Sequence, residues 1–384
     1  MSFIKKILKK LMNIIPMRNL VLLESNPDMS DNTYSLFSKM IEKGYNRKYR
    51  FVWLVNNPDD FKNVNIKNVS FFYWKPIGFF RKLRKAWLLY TAKYIIYCNK
   101  FIEKRRSGQC VVSLGHGTMI KSVKQHQMMS PDCDFTLCAS KEMILMHVDQ
   151  LHLTEGHMFV SGLPRNDLLF ESKGKLKNVL GNMADKKCII WMPTFRKQKS
   201  SDRLDSEFDF PLGLPIIYDT EALNSVNETL KKNDTVMLLK LHPAQDTSFI
   251  KAGTMSNLML LTDSMLEAAG VKLYEILSDT AALITDYSSI YCDYLLLKRP
   301  IGVTLDDFKE YSAKNGFAFD NPLEILRGVQ IYKLEQLIAF IEDVAAGNDV
   351  GAVERAKVED LFNEYKGGGY CQFVLDKMIN EYKF

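Results

Sequence analysis

The feature that most restricts this chain is a rhythm of short apolar runs separated by segments of helical periodicity. NLVLLES (19–25), YRFVWLVNN (49–57), NVSFFYW (68–74), KYIIYC (93–98), CVVSLG (110–115), FTLCAS (135–140) and HMFVSG (157–162) each read as a strand. Helices are expected at 32–43 and 79–91, and after CVVSLG and FTLCAS. Strands alternating with helices in this way form a parallel sheet covered on both faces. A polar stretch, ESKGKLKNVLGNMADKK (171–187), interrupts the rhythm, which then restarts. KCIIWMP (187–193), TVMLLKLHP (235–243), NLMLLT (257–262), AALITD (281–286) and PIGVTL (300–305) read as strands. Helices are expected at 219–232, 272–278, 288–297, 333–346 and 351–382. The expectation is an α/β chain with two successive Rossmann-like domains, residues 17–175 and 176–384, a cleft between them and helices at the C-terminal end.

Composition is consistent with that architecture. The 384 residues are enough for two domains at roughly 150 residues each. They are 47% hydrophobic and 25% charged, a globular balance. No run approaches the ~18 uninterrupted apolar residues of a membrane span, and the N-terminus has no cleavable signal pattern. The seven cysteines form no CxxC and no metal-ligand spacing, so they are expected to be free thiols in a reducing compartment, and no metal site is expected.

The net charge of +6 is concentrated in the N-terminal third. Lys5, Lys6, Lys9, Lys10 and Arg18 face no acid in the first 18 residues, and FFRKLRKAWLLY (79–90) lies in a second basic stretch. In FIKKILKKLMNII the apolar residues fall on one helical face and the lysines on the other. Residues 1–16 are therefore expected to form a basic amphipathic helix lying on an anionic membrane surface without spanning it.

Open α/β sheets bind ligands beyond the carboxyl ends of their strands, so polar residues just after apolar runs are the candidates for chemistry. In VVSLGHGT (111–118) two glycines flank His116, whose pKa suits general-base work; a turn histidine at a strand end is the plain alternative. Gly117, Thr118 and Lys121 belong to the same stretch, with an acceptor-binding or structural role. In VSGLPRND (160–167), Arg165, Asn166 and Asp167 follow a turn, and Asn or Asp capping of the next helix accounts for them by itself. In IIWMPTFR (189–196), Arg196 could hold phosphate, with Thr194 adding a hydroxyl. In LLKLHP (238–243), His242 ends a strongly apolar strand. In LITDYSSIYCDYLLLKRPI (283–301), Asp286 ends a strand and Ser288 or Ser289 is the expected N-cap of the next helix, where free N–H groups favour phosphate. Asp286 beside phosphate would repel it, so it is expected to hold a hydroxyl, a backbone N–H or an imidazolium. There is no P-loop and no strand-following GxGxxG. Asp132-Cys133-Asp134 precedes a strand and is read as a loop, not a metal clamp.

Taken in order, HGT (116–118), GLPRND (162–167), MPTFR (192–196), LKLHP (239–243) and ITDYSSIYCDYLLLKRPI (284–301) resemble the CDP-glycerol glycerophosphotransferase family of teichoic-acid primases and polymerases, with relatives in capsule synthesis. DDFKEYSAKNGFAFDNP (306–322) and LFNEYKGGGY (361–370) extend the likeness, which runs from about 110 to 370. The resemblance implies a GT-B-type fold, with the acceptor in the N-terminal domain and a CDP-polyol donor in the C-terminal one. It implies transfer of glycerol phosphate from CDP-glycerol to a hydroxyl of a polyprenyl-diphosphate-linked saccharide, with release of CMP, at the cytoplasmic face of the cell membrane. His116 would be the base, Arg196 and His242 would contact the diphosphate, and Asp286, Ser288 and Ser289 would hold the donor. Neither metal nor cofactor is implied. Asn315-Gly316 stands where the family pattern has an arginine, and Lys314 is its nearest substitute. The length resembles a primase more than the longer polymerases. A polymerase, a CDP-ribitol enzyme, a GT-B nucleotide-sugar glycosyltransferase and a non-catalytic nucleic-acid-binding protein are the alternatives, although no basic-aromatic nucleic-acid module is visible.

Overall fold

The computed structural model describes residues 15–123, 133–194, 210–241 and 255–384. The chain divides into two compact units, each built on one parallel sheet. The basic segment at the N-terminus, residues 1–14, lies outside the described residues, as does most of the helix expected after CVVSLG.

The first unit carries strands β1 (Arg18–Glu24), β2 (Arg50–Val55), β3 (Val69–Tyr73), β4 (Ala92–Tyr97), β5 (Cys110–Ser113), β6 (Phe135–Cys138) and β7 (Met158–Val160). Their order is β3-β2-β1-β4-β5-β6-β7, so the direction of strand addition reverses between β1 and β4. Side chains alternate between the two faces of a strand. Val21 and Leu23 enter one core cluster, with Phe37 and Trp53. Leu20 and Leu22 enter the opposite one, with Leu54 and Ile95. Burial on both faces is why these strands read as continuous apolar runs.

The second unit carries β8 (Lys187–Met192), β9 (Thr235–Leu239), β10 (Leu258–Leu260), β11 (Ala282–Thr285), β12 (Ile301–Thr304) and β13 (Val329–Ile331), in the order β10-β9-β8-β11-β12-β13. Helices Thr220–Lys232 and Leu334–Ala346 supply Leu223, Val226, Leu230, Leu337, Phe340 and Ile341 to its core. Strand addition reverses here between β8 and β11. Strand β13 was not expected, because Gln330 between Val329 and Ile331 breaks its apolar run.

Two expectations about the C-terminal part differ from the structure. The helix expected over 351–382 is broken into Ala352–Ala356, Glu359–Phe362 and Tyr370–Tyr382. Gly368 and Gly369 take left-handed backbone angles between the last two pieces, a conformation glycine adopts without steric cost. The boundary also differs from 17–175 and 176–384. The first unit includes Gln127–Asp167 and Gly369–Phe384, and the second includes Gly117–His126 and Leu168–Gly368. The helix Tyr370–Tyr382 belongs to the first unit because its apolar face, Val374, Leu375 and Met378, is buried with Tyr94 and Val112. The Phe384 ring stacks on Tyr49 at 4.6 Å, and the Tyr94 hydroxyl donates to the Lys383 carbonyl at 2.6 Å.

Candidate active site

In the first unit, three chain segments meet beyond the carboxyl end of the sheet. The segment after β1 supplies Asp31 and Asn32, the segment after β5 supplies His116, and the segment after β7 supplies Arg165. The His116 imidazole meets the Asp31 carboxylate at 2.6 Å, Nδ1 to Oδ2. Arg165 Nη1 donates to Asp31 Oδ1 at 2.8 Å and to the His116 carbonyl at 3.3 Å. The Asn32 side chain fixes the frame: its amide donates to the Gly115 carbonyl at 3.1 Å, and its oxygen accepts the Arg165 N–H at 3.0 Å. The side chains of Asp31 and Arg165 are each only 7% exposed, whereas that of His116 is 63% exposed. Burial pushes the Asp31 carboxyl up, but the Arg165 guanidinium and the His116 contact outweigh it and hold the group far below the usual carboxylate range. The glycines either side of His116 are both required by backbone geometry, with φ of +66° at Gly115 and +124° at Gly117.

Asp167 has a structural role. Its carboxylate accepts the N–H groups of Tyr370 at 2.8 Å and Cys371 at 2.9 Å, the first residues of the helix Tyr370–Tyr382. Capping by Asp167 was expected, but of the next helix; the helix it caps lies 203 residues downstream. Asn166 is buried beside it. Asp134 of the formal DxD is structural too, accepting from the Val111 N–H at 2.8 Å and Lys104 at 2.7 Å.

In the second unit, Asp286 follows β11 and Thr194 follows β8, the two strands at which the sheet reverses its direction of addition. The fully buried Asp286 carboxylate accepts the Thr194 N–H at 2.8 Å to Oδ2 and at 3.0 Å to Oδ1, and also accepts the Thr194 hydroxyl. Ser289 is the N-cap residue of the helix Ile290–Tyr294, but no serine side chain caps it. Ser289 itself is in the helical region, with φ −61° and ψ −17°, rather than the extended conformation from which a capping hydroxyl folds back. Ser288 and Ser289 are both half-buried.

Tyr287 donates to Asp307 Oδ1 at 2.9 Å and packs on Tyr311 at 4.3 Å between ring centroids. Lys121 lies over the Tyr311 ring at 5.6 Å and pairs with Phe317 in an isolated bridge, while Thr118 is buried. Lys121 thus contacts two aromatic residues of the second unit. Arg196 and His242 lie outside the described residues. Among the described residues no group of three or more His, Cys, Asp or Glu side chains is arranged to hold a metal ion. A cavity lined by Arg18, Lys48 and Arg50 lies at the amino ends of β1 and β2, the edge opposite the one where such sheets bind ligands.

Asp31 and Asn32 were missed in the sequence. They follow β1 as His116 follows β5, so a strand-end search could have collected them. Six residues, Ser25–Ser30, intervene before the helix and hid the connection.

Two parallel α/β sheets, each with polar groups gathered at its carboxyl edge, are the framework of a GT-B-type fold. The family model described as CDP-Glycerol:Poly(glycerophosphate) glycerophosphotransferase matches residues 7–380, and the chain belongs to that family. It is thus an enzyme, a glycerophosphotransferase, rather than a nucleotide-sugar glycosyltransferase or a non-catalytic nucleic-acid-binding protein. The chain is similar to the teichoic acid glycerol-phosphate primase of Bacillus subtilis (strain 168), with 24% identity over 319 residues, covering 78% of this chain and 76% of that protein. It is similar to the teichoic acid ribitol-phosphate polymerase TarL of Staphylococcus aureus, with 23% identity, covering 88% of this chain and 61% of that one. Among solved structures, the wall teichoic acid polymerase TagF superposes with a TM-score of 0.77 at 18% identity, covering 100% of this chain and 99% of that one, which shows the shared fold.

Proposed function

We propose that the chain transfers glycerol phosphate from CDP-glycerol to a hydroxyl of a polyprenyl-diphosphate-linked saccharide, releasing CMP, and acts as a primase in teichoic-acid or capsule-type polymer synthesis. One observation carries the assignment of chemistry to the first unit: an imidazole exposed at a sheet's carboxyl edge and held there by a buried carboxylate. His116 takes the proton from the acceptor hydroxyl as its oxygen attacks the glycerol-bearing phosphorus. The P–O bond to CMP breaks, and negative charge spreads over the phosphoryl oxygens. Stabilisation of that charge is assigned to the residues expected to hold the donor. Thr194 is fixed by Asp286, Ser288 and Ser289 offer hydroxyls, and Arg196 and His242 are assigned to the diphosphate. Fixed donors of this kind stabilise a developing anion without reorganisation, so turnover is expected to persist in EDTA.

The proposed address is the cytoplasmic face of the membrane. Among the described residues no helix is long and apolar enough to cross a bilayer. The helix Phe79–Thr91 buries Leu88, Leu89 and Thr91 near its carboxyl end and leaves residues 79–84 exposed. Arg81 lies over the Tyr73 ring at 4.9 Å, Arg84 over Phe72 at 5.1 Å and Lys85 over Trp74 at 3.9 Å, so these cations cover the aromatic end of β3. Phe79, Phe80, Leu83 and Trp87 are left in solvent, Phe80 at 82% exposure. Bulky apolar side chains flanked by Arg and Lys fit the boundary between anionic headgroups and acyl chains.

A turnover assay with CDP-glycerol and CDP-ribitol on a lipid-linked disaccharide, with product mass measured, tests the proposal. CMP release with addition of a single glycerol phosphate supports it. Long products would assign a polymerase instead, and exclusive use of CDP-ribitol would assign the activity for which TarL is named. No CMP with either donor would overturn the proposal.

A further inference from the structure

We infer that Asp31 is the positioning residue for His116: its buried carboxylate, pinned by Arg165, binds Nδ1 and so turns Nε2 toward solvent as the proton-accepting nitrogen. The inference rests on the role of His116 proposed above and deepens it.

A carboxylate can only accept a hydrogen bond, so the 2.6 Å contact places the proton of the neutral imidazole on Nδ1. The lone pair is then on Nε2. The unequal exposure of the partners, 63% for His116 and 7% for Asp31, separates this arrangement from a surface ion pair and from a buried structural histidine. A surface pair would leave both groups wet, and a structural one would bury both.

Asp31 is also placed at some cost. It opens the helix Asp31–Glu42 with a left-handed φ of +59°, a conformation that costs of order 1 kcal/mol outside glycine, with Asp among the more tolerant residues. Its carboxylate does not serve as the N-cap, which is Ser30. It receives the Asn32 N–H at 2.8 Å, Arg165 at 2.8 Å and His116. The neighbouring Asn32 ties the same three segments together through the Leu114 and Gly115 carbonyls and the Arg165 N–H. Local helix formation requires none of these contacts, and together they fix the imidazole.

Arg165 and the Cys98 thiol are the other titratable groups against Asp31. Burial keeps the thiol neutral, and Arg165 keeps the carboxylate charged. When His116 takes a proton, the imidazolium therefore finds a charge already in place.

The test uses the full-length chain with its lipid-linked acceptor and has two parts. In histidine-labelled wild type, nitrogen NMR, with the signal assigned through His116→Ala, should show neutral His116 protonated on Nδ1; protonation on Nε2 would overturn the inference. That part needs no acidic variant to fold. In kinetics, Asp31→Asn should lower kcat about 10- to 100-fold and leave KM for CDP-glycerol within about twofold. Asp31→Glu should restore part of the lost rate, and Asp31→Asn should add no loss in a His116→Ala background. A purely structural role would raise KM along with the loss of kcat and would add its loss to that of His116→Ala, and that result would overturn the inference. Full activity in His116→Ala would instead overturn the base assignment, whatever the tautomer proves to be.

Discussion

Asp286 binds one residue, Thr194, through both its backbone N–H and its hydroxyl, and so joins the ends of β11 and β8. The acid at the end of the LITD run holds a neighbouring loop in place. Asp286→Ala would leave the Thr194 N–H and hydroxyl without this buried acceptor, at about 1–3 kcal/mol for each lost partner. The expected result is a thermal midpoint lowered by several degrees together with a raised KM for CDP-glycerol. Thr194→Val, which keeps the N–H contact, should be the milder change. A variant of unchanged stability and KM would show that the contact does not position the donor site.

A second prediction concerns Gly162. Its φ is +73°, and a Cβ built there would lie 2.4 Å from the Tyr370 ring. Gly162→Ala should destabilise the first unit by about 2–4 kcal/mol, combining backbone strain with overpacking. Gly174→Ala is the control, since its Cβ would meet nothing within 4 Å while its φ of +69° carries the backbone strain alone. Equal losses in the two variants, read from denaturation midpoints, would remove the steric explanation.

The outward-facing side chains of Phe79–Thr91 provide a third. Replacing Phe79, Phe80 and Leu83 with Ser removes exposed apolar surface, so the thermal midpoint should hold steady. Each such side chain contributes up to ~1.5–3 kcal/mol when fully buried, so even partial insertion predicts binding to phosphatidylglycerol vesicles at least about tenfold weaker. Binding equal to wild type would exclude this helix as the contact.

Acid stability is the fourth. The Asp31 carboxyl is held below its unfolded value, so its contribution to folding is fully present above the ordinary carboxylate range. It is lost as pH falls through and below that range. Between pH 6 and 9 the stability difference between wild type and Asp31→Asn should therefore be flat, and it should shrink in strong acid. A difference that changed between pH 6 and 9 would point to another titrating group.

The strands were legible because both faces of each sheet are buried. Val21, Leu23 and their neighbours Leu20 and Leu22 carry the same apolar signal whichever side they face. The glycines flanking His116 were legible for a different reason: positive φ leaves few other residues. Relationships spanning distant parts of the chain were not. Asp31 reaches His116 across 85 residues, and Asp167 caps a helix 203 residues away. Periodicity reports what a segment buries, not which segment covers it. Ser289 stands at the N-cap position expected from DYSS, but its backbone is already helical and its hydroxyl makes no capping bond, a detail that sequence spacing does not report.

The helix Tyr370–Tyr382 has a consequence for the order in which the molecule can be completed. Val374, Leu375, Met378 and Phe384 fill the core of the first sheet, yet they are encoded after the whole of the second. During synthesis the first sheet must wait, with Tyr49, Tyr94 and Val112 uncovered, while the second sheet is made. The half of the protein that emerges first is the half that finishes last, and a nonsense codon late in the reading frame would injure the domain at its beginning.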